Sequence, residues 1–419
     1  MTPFLQLAFT LAILLVTAKL AGYISIRLGQ PSVLGELMVG ILLGPSLLDF
    51  LSLPFLTDSV ALEHFIVEMG EIGVLLLMFL AGLELHLDEL RGNTKVAALA
   101  GVMGVIIPLV GGWGLGLVFG METQSAIFLG LVMGATSVSI SAQTLMEMKA
   151  LKSRVGLGLL GAAVFDDVLV IFLLSMFFAF TSGASGLTET ALVLARMLLF
   201  FALAFGFGLW VLPKMVRAVR NLPISQGVLT LTIVTLLGYG LVAELVGQMA
   251  AITGAFIAGL MFARTPEKEI IDPRISALAY GFFVPIFFVS IGLKTHLALH
   301  TEALGLAAGV IFVAIIAKWA GAAGGARLAG FNWRESIQLG MGMVSRGEVG
   351  LIVASAGTRN GLVTEAEFAA VVGMVIVTTL VTPPALRALF HLGEGASPTG
   401  TISHQAGGEK PQKGKNPHP

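Results

Sequence analysis

Cysteine is absent from the 419 residues, which excludes disulfides, thiolate metal sites and cysteine nucleophiles. Charge is scarce as well. Only 12% of the residues are charged and 56% are hydrophobic, against about 25% and 45–50% in an ordinary soluble domain. A water-soluble core cannot absorb that excess without exposing apolar patches, whereas a bilayer supplies an apolar solvent for each segment of about 20 residues. A net charge of −1 argues against a protein held to nucleic acid or to a membrane surface by bulk electrostatics. Glycine, in contrast, is plentiful: its 52 copies suit helices packed so closely that backbones nearly touch.

Apolar runs long enough to span occur at roughly 4–26, 32–48, 64–86, 95–119, 124–147, 155–182, 188–213, 223–244, 248–264, 276–294, 303–326, 335–357 and 366–390. The expectation is therefore an all-α integral membrane protein with 13 transmembrane helices, the second and ninth of them short. No basic flank or small-residue cleavage pattern accompanies the first run, so it reads as a retained span and not as a signal peptide. With the N-terminus outside, the loops that would face the cytoplasm and the C-terminal flank carry 18 basic residues. Among these are Arg27, Arg91, Lys149, Lys152, Arg154, Arg217, Arg264, Arg274 and Arg327. Only Lys294 and Arg359 lie in the opposite loops. One missed span would scramble this positive-inside bias, so span count and orientation support each other. Residues 1–392 read as one transmembrane domain, and 393–419, polar and rich in Gly and Lys, as a short disordered cytoplasmic tail.

Segments about 210 residues apart resemble one another. The second span reads GELMVGIL from Gly35 and the ninth GAFIAGLM from Gly254. GLELHL from Gly82 pairs with GLKTHL from Gly292, and LGLVM from Leu129 with LGMGM from Leu339. Equivalent spans lie seven apart, an odd number, so they cross the membrane in opposite directions. Such inverted-topology repeats are built around a substrate site at the bilayer midplane, where discontinuous helices meet.

Asp166 and Asp167 stand about a dozen residues inside the sixth span, in GAAVFDDVLVIFLL. Each costs roughly 2.5–3.5 kcal/mol to insert at bilayer depth, so the pair is expected to be functional. Neighbours on a helix point about 100° apart, which lets one face an aqueous cavity and the other a partner helix. The candidate partner is Lys318 in VAIIAKWAGAAGG, the sole Lys deep in a span; a structural salt bridge is the plainer reading of the same residue. Lys19 and Arg196 lie near enough to helix ends to snorkel. Thr136 and Ser137, in GATSVSISAQ, suit an unwound helix whose carbonyls and hydroxyls hold a hard cation, although such side chains also bond back to their own helix. At the equivalent place the twelfth span has VSRGEVGL. A break at Gly347 would put Arg346 at the negative end of one half-helix and Glu348 at the positive end of the other, a charge-compensating arrangement. Glu36, Glu68 and Glu71 are candidates to line an access funnel or to lie at the interface.

These residues resemble the monovalent cation:proton antiporters, in their bacterial NapA- and NhaA-like branch. The motifs that carry the likeness are QPSVLGELMVGILLGP, FLAGLEL, GATSVSISAQ, GAAVFDDVL, PIFFVSIGL, IIAKWAG, SRGEVGLIVA and VTTLVTPPAL. The resemblance implies an NhaA-like antiporter fold with two broken, crossing helices, in a homodimer with a dimerisation part and a mobile core. It implies a bacterial inner-membrane location, no cofactor, and no nucleotide-binding regulatory domain in the chain. It also implies that Asp167 is the main cation ligand, with Asp166 beside it and able to pair with Lys318. Asp at the first acidic position, where potassium-efflux relatives have Gln and electroneutral ones Asn, points to electrogenic exchange of Na+ or Li+ for two protons. A K+/H+ exchanger of the same fold is the nearest rival. A passive channel fits poorly with an inverted repeat. An intramembrane aspartyl protease needs two acids facing each other from different helices, and the chain has no GxGD motif.

Overall fold

A computed structural model describes residues 2–54, 56–84, 93–182, 186–293, 304–347, 350, 353–354, 357–358 and 361–391. All regular structure among them is helical. Ten helices are long and apolar enough to cross a bilayer, and two further apolar helices are shorter. The short ones are α2 (Ser32–Leu43) and α11 (Ala251–Phe262), the second and ninth apolar runs. Of the twelfth run, Trp333–Gly342 is helical, and the rest lies partly outside the described residues. The tail from 393 lies outside them altogether.

Polar residues at the helix starts set several boundaries. The Asp58 carboxylate accepts from the Ala61 amide at 3.1 Å and starts α3 (Ser59–Leu83) a turn before its apolar run begins. Asn332 and Glu335 form a reciprocal capping box at the start of α15 (Trp333–Gly342). Two spans run longer than their apolar stretches because a π-turn joins two helical pieces. One lies at Phe207–Val211, between α8 (Gly186–Gly206) and α9 (Leu212–Arg220). The other lies at Ala279–Phe283, between α12 (Lys268–Leu278) and α13 (Val284–Leu293). Pro213 and Pro285 follow these turns by two residues. A proline ring clashes with the carbonyl four residues back, and the wider turn relieves that clash.

The helices sort into two bundles. In one, α4 (Thr94–Val118) packs on α5 (Thr123–Gly134), α7 (Arg154–Ser182) and α14 (Leu304–Leu328), and α14 packs in turn on α15 and α16 (Glu365–His391). In the other, α1 (Pro3–Arg27), α2, α3, α10 (Gly227–Leu245), α11 and α13 pack together. The bundles meet along α6 (Val138–Glu147), which lies against α3 and α2, and where α16 touches α2, while α8 packs on α7 of one bundle and on α10 and α11 of the other. At its end the Glu147 carboxylate accepts from the Ser32 backbone amide at 2.7 Å and from the Ser32 hydroxyl. Glu147 thus caps the start of α2 from the opposite bundle.

The matched glycines of α2 and α11 make matched contacts. A Cβ on Gly35 would lie 2.2 Å from the Ala21 carbonyl oxygen of α1, and one on Gly254 would lie 2.3 Å from that of Tyr239 on α10. The second glycine of each pair meets a helix from the other half of the sequence. Gly40 abuts the Val289 carbonyl of α13, and Gly259 abuts the Phe79 carbonyl of α3, at 2.3 and 2.0 Å from the Cβ each would acquire. A Gly259→Val variant is therefore expected to lose about 1–3 kcal/mol through overpacking. Its thermal unfolding in detergent should fall clearly below that of Gly238→Ala, where an added Cβ meets nothing within 4 Å.

Candidate ion site

Two helices are interrupted, and the interruptions touch. Residues 135–137 separate α5 from α6, and 344–347 follow α15 without helical structure. The second break thus begins three residues before Gly347. The Ser137 amide donates to the Ser345 carbonyl at 2.9 Å, and the Ser345 hydroxyl returns a bond to the Ser137 carbonyl. The Ser141 hydroxyl donates to the Gly342 carbonyl at 2.6 Å, tying α6 to the end of α15. Each unwound stretch therefore satisfies part of the other's exposed backbone, the condition for irregular chain at bilayer depth.

Both breaks leave carbonyls pointing off a helix end, where the dipole is negative. A buried cation meets each one. Lys318, fully buried on α14, donates from Nζ to the Gly134 carbonyl at the end of α5 and to Asp166 Oδ1, both at 2.7 Å. Arg346, also fully buried, donates from Nη1 to the Met343 carbonyl at the end of α15 at 3.3 Å, and from Nη2 to the Ala314 carbonyl of α14 at 3.4 Å. Thr378 and Thr379 of α16 hold the Arg346 backbone, the Thr379 hydroxyl donating to its carbonyl at 2.7 Å. Glu348 lies outside the described residues.

Asp166 and Asp167 face different surroundings. Asp166 is fully buried against Lys318. The Thr136 hydroxyl lies against the Asp166 carboxylate, and neither Thr136 Oγ1 nor Asp166 Oδ2 finds a further partner in the protein. Asp167 is half-buried and turns to the other bundle, where the Thr253 hydroxyl of α11 donates to its Oδ2 at 3.0 Å. A cavity of about 10 Å³ lies there, walled by Asp167 and Thr253 and otherwise by apolar side chains such as Met78, Ile252 and Phe256. That is room for about one water-sized species. Both carboxylates sit about 18 Å along α7 from Arg154, which is mid-depth in a hydrocarbon layer of about 30 Å. Ser137 lies at the crossing, with its Oγ 3.1 Å from that of Ser139. Thr253 was not singled out from sequence. The readable signal is that the repeat has Leu34 where α11 has Thr253, one residue before the matched glycine.

A second cavity, of about 960 Å³, opens between the bundles at the end that carries the basic loops. Glu36, Glu84, Glu147 and Asp272 line it, together with Lys19, Lys149 and Arg387. Lys19 reaches Glu36 at 3.8 Å. Glu68 and Glu71 are exposed and do not line it.

The family model for the transmembrane sodium/hydrogen exchangers matches residues 13–391. The chain belongs to the sodium/hydrogen exchanger family. It is 40% identical over 382 residues to a Na+/H+-K+ antiporter, GerN, of Bacillus cereus, an alignment covering 91% of this chain and 96% of the relative. It is 33% identical over 378 residues to a Na+/H+ antiporter of Enterococcus hirae, covering 90% of this chain and 96% of that one. Its fold is similar to that of the sodium proton antiporter MjNhaP1 of Methanocaldococcus jannaschii, with a TM-score of 0.67 at 16% identity, over 93% of this chain and 98% of the other. The chain is thus a multi-pass cation/proton antiporter of this family and not an enzyme.

Proposed function

We propose that this exchanger moves Na+ or Li+ against protons by alternating access, with the two ions competing for the Asp166 and Asp167 carboxylates. The observation that carries this reading is the buried Asp166 carboxylate beside Asp167 at the helix crossing, with the Thr136 hydroxyl against it and no further protein partner for its Oδ2. A hard cation needs several oxygen ligands, and two carboxylates with hydroxyls beside them supply such a set. Asp167 is the main cation ligand. Asp166 serves as the proton-linked partner of Lys318, Thr136 and the Ser137 region supply neutral oxygens, and Arg346 with Glu348 compensates the charge of the broken helices.

The cycle follows from these assignments. With protons bound, Asp167 is neutral and Asp166 is paired to Lys318⁺. When Na+ arrives, Asp167 gives up its proton, Lys318 gives up a second and releases Asp166, and the two carboxylates hold one cation with one net negative charge left on the site. Two protons for one Na+ make the exchange electrogenic. The bundle that carries the breaks moves as a body past the other, which forms the homodimer contact. Both are proposals from the family resemblance; the contacts between the bundles, fewer than those within them, support the movement alone. The matched glycine contacts support an inverted repeat, and the two short helices with the broken twelfth span support a count of 13. Orientation follows the basic loops, with the N-terminus outside, the C-terminus in the cytoplasm and the large cavity open inward. A bacterial inner (plasma) membrane is the location that goes with this reading, from the family resemblance.

A second reading has K+ in place of Na+ or beside it, favoured by the Na+/H+-K+ antiporter relative. Reconstitution under an imposed pH gradient decides between them. Na+ and Li+ are expected to dissipate the gradient at a rate that responds to membrane potential. Equal rates with K+ would establish the second reading, and potential-insensitive rates would remove the two-proton stoichiometry.

A further inference from the structure

The Thr253 hydroxyl is 3% exposed and reaches Asp167 Oδ2 from α11, across the boundary between the bundles. Asp166, Thr136, Ser137 and Lys318 all belong to the bundle that carries Asp167. Thr253 does not. Among the described residues on the wall of the small cavity, Asp167 and Thr253 are the only polar side chains; the others, Met78, Leu160, Ile252 and Phe256 among them, are apolar. A cation entering there sheds water that apolar walls cannot replace.

We propose that Thr253 is a specificity-determining residue for the transported cation, supplying a neutral oxygen from the flanking bundle to the ion held by Asp167. The inference rests on the assignment of Asp167 as cation ligand. A hydroxyl carries one donor and two lone pairs. With Asp167 charged and no cation present, it donates to Oδ2, as observed. With a cation at Oδ2, the O–H rotates away and a lone pair turns to the ion. Because the hydroxyl sits on the other bundle, this ligand exists only while the access state shown persists. Thr253 therefore tightens cation binding from one face of the membrane and loosens it when the bundles shift. The departure from the repeat, Leu34 against Thr253, makes the contribution one-sided by construction.

The test compares Thr253→Val, Thr253→Ser and Asp167→Asn in proteoliposomes of known orientation, with folding checked by monodispersity in detergent. Val keeps the shape of Thr and removes the hydroxyl; Ser keeps the hydroxyl. Thr253→Val is expected to raise the apparent KM for Na+ about ten-fold on the face to which the large cavity opens, the scale of one contact to a charged group. Its maximal rate should stay within about two-fold, and Thr253→Ser should restore KM. An unchanged KM in the Val variant, or a Ser variant as impaired as Val, would overturn the inference. If Val does not fold, Thr253→Ala carries the same expectation. Exchange surviving in Asp167→Asn would instead bring down the site assignment itself, so the two failures are distinguishable.

Discussion

Asp167→Asn proteoliposomes are expected to show no Na+-dependent proton flux above the level of empty vesicles, at any pH between 6 and about 9. Asn keeps the volume and one oxygen of the carboxylate. It loses the charge that draws the cation and the ability to carry a proton, so both halves of the exchange fail together. Stability should change little, because the side chain is half-buried and its bond from Thr253 can be kept by the amide oxygen. Folded but inactive protein is the informative outcome. Saturable proton-coupled Na+ flux in this variant would exclude Asp167 as the ligand and shift the site to Asp166 and Thr136.

Lys318→Gln is expected to damage both stability and coupling. Its ammonium is fully buried and serves two acceptors, Asp166 Oδ1 and the Gly134 carbonyl. Removing one partner of a buried ion pair costs about 3–5 kcal/mol, since the remaining charge stays desolvated. Thermal unfolding in detergent should therefore fall well below wild type. A second change, Asp166→Asn, removes the stranded charge, and the double variant should regain most of the loss. That non-additive recovery is the signature of a direct pair. In whatever fraction of Lys318→Gln folds, the proton released by the ion pair is no longer available. Exchange is expected to run one proton per cation and to lose its response to membrane potential. Potential-driven flux equal to wild type would remove Lys318 from the coupling mechanism.

The helix breaks illustrate how far local sequence reaches. Thr136 and Ser137 beside Gly134 mark a weak point in α5 and α6, and Arg346 marks one after α15. A cation at a freed helix end is a local electrostatic preference that sequence expresses directly. The partner of each cation was harder to see. That Lys318 donates to the Gly134 carbonyl as well as to Asp166 depends on where α14 lies against α5, 184 residues away in the chain.

By itself the sequence determined that the chain is a multi-pass membrane protein, and it singled out Asp166, Asp167 and Lys318 as ionisable groups deep in apolar runs. The physical reason is cost: an ionisable side chain at that depth is expensive in any arrangement, so its presence is legible without a structure. The family resemblance had already paired Asp166 with Lys318, as the structure shows; only the tertiary structure decided that Asp167 faces the other bundle and meets Thr253 there. A membrane helix is apolar toward lipid and toward its neighbours alike, so no polar stripe betrays its azimuth. The 100° between adjacent aspartates tells that they differ, and the packing of α7 between α4 and α8 tells how.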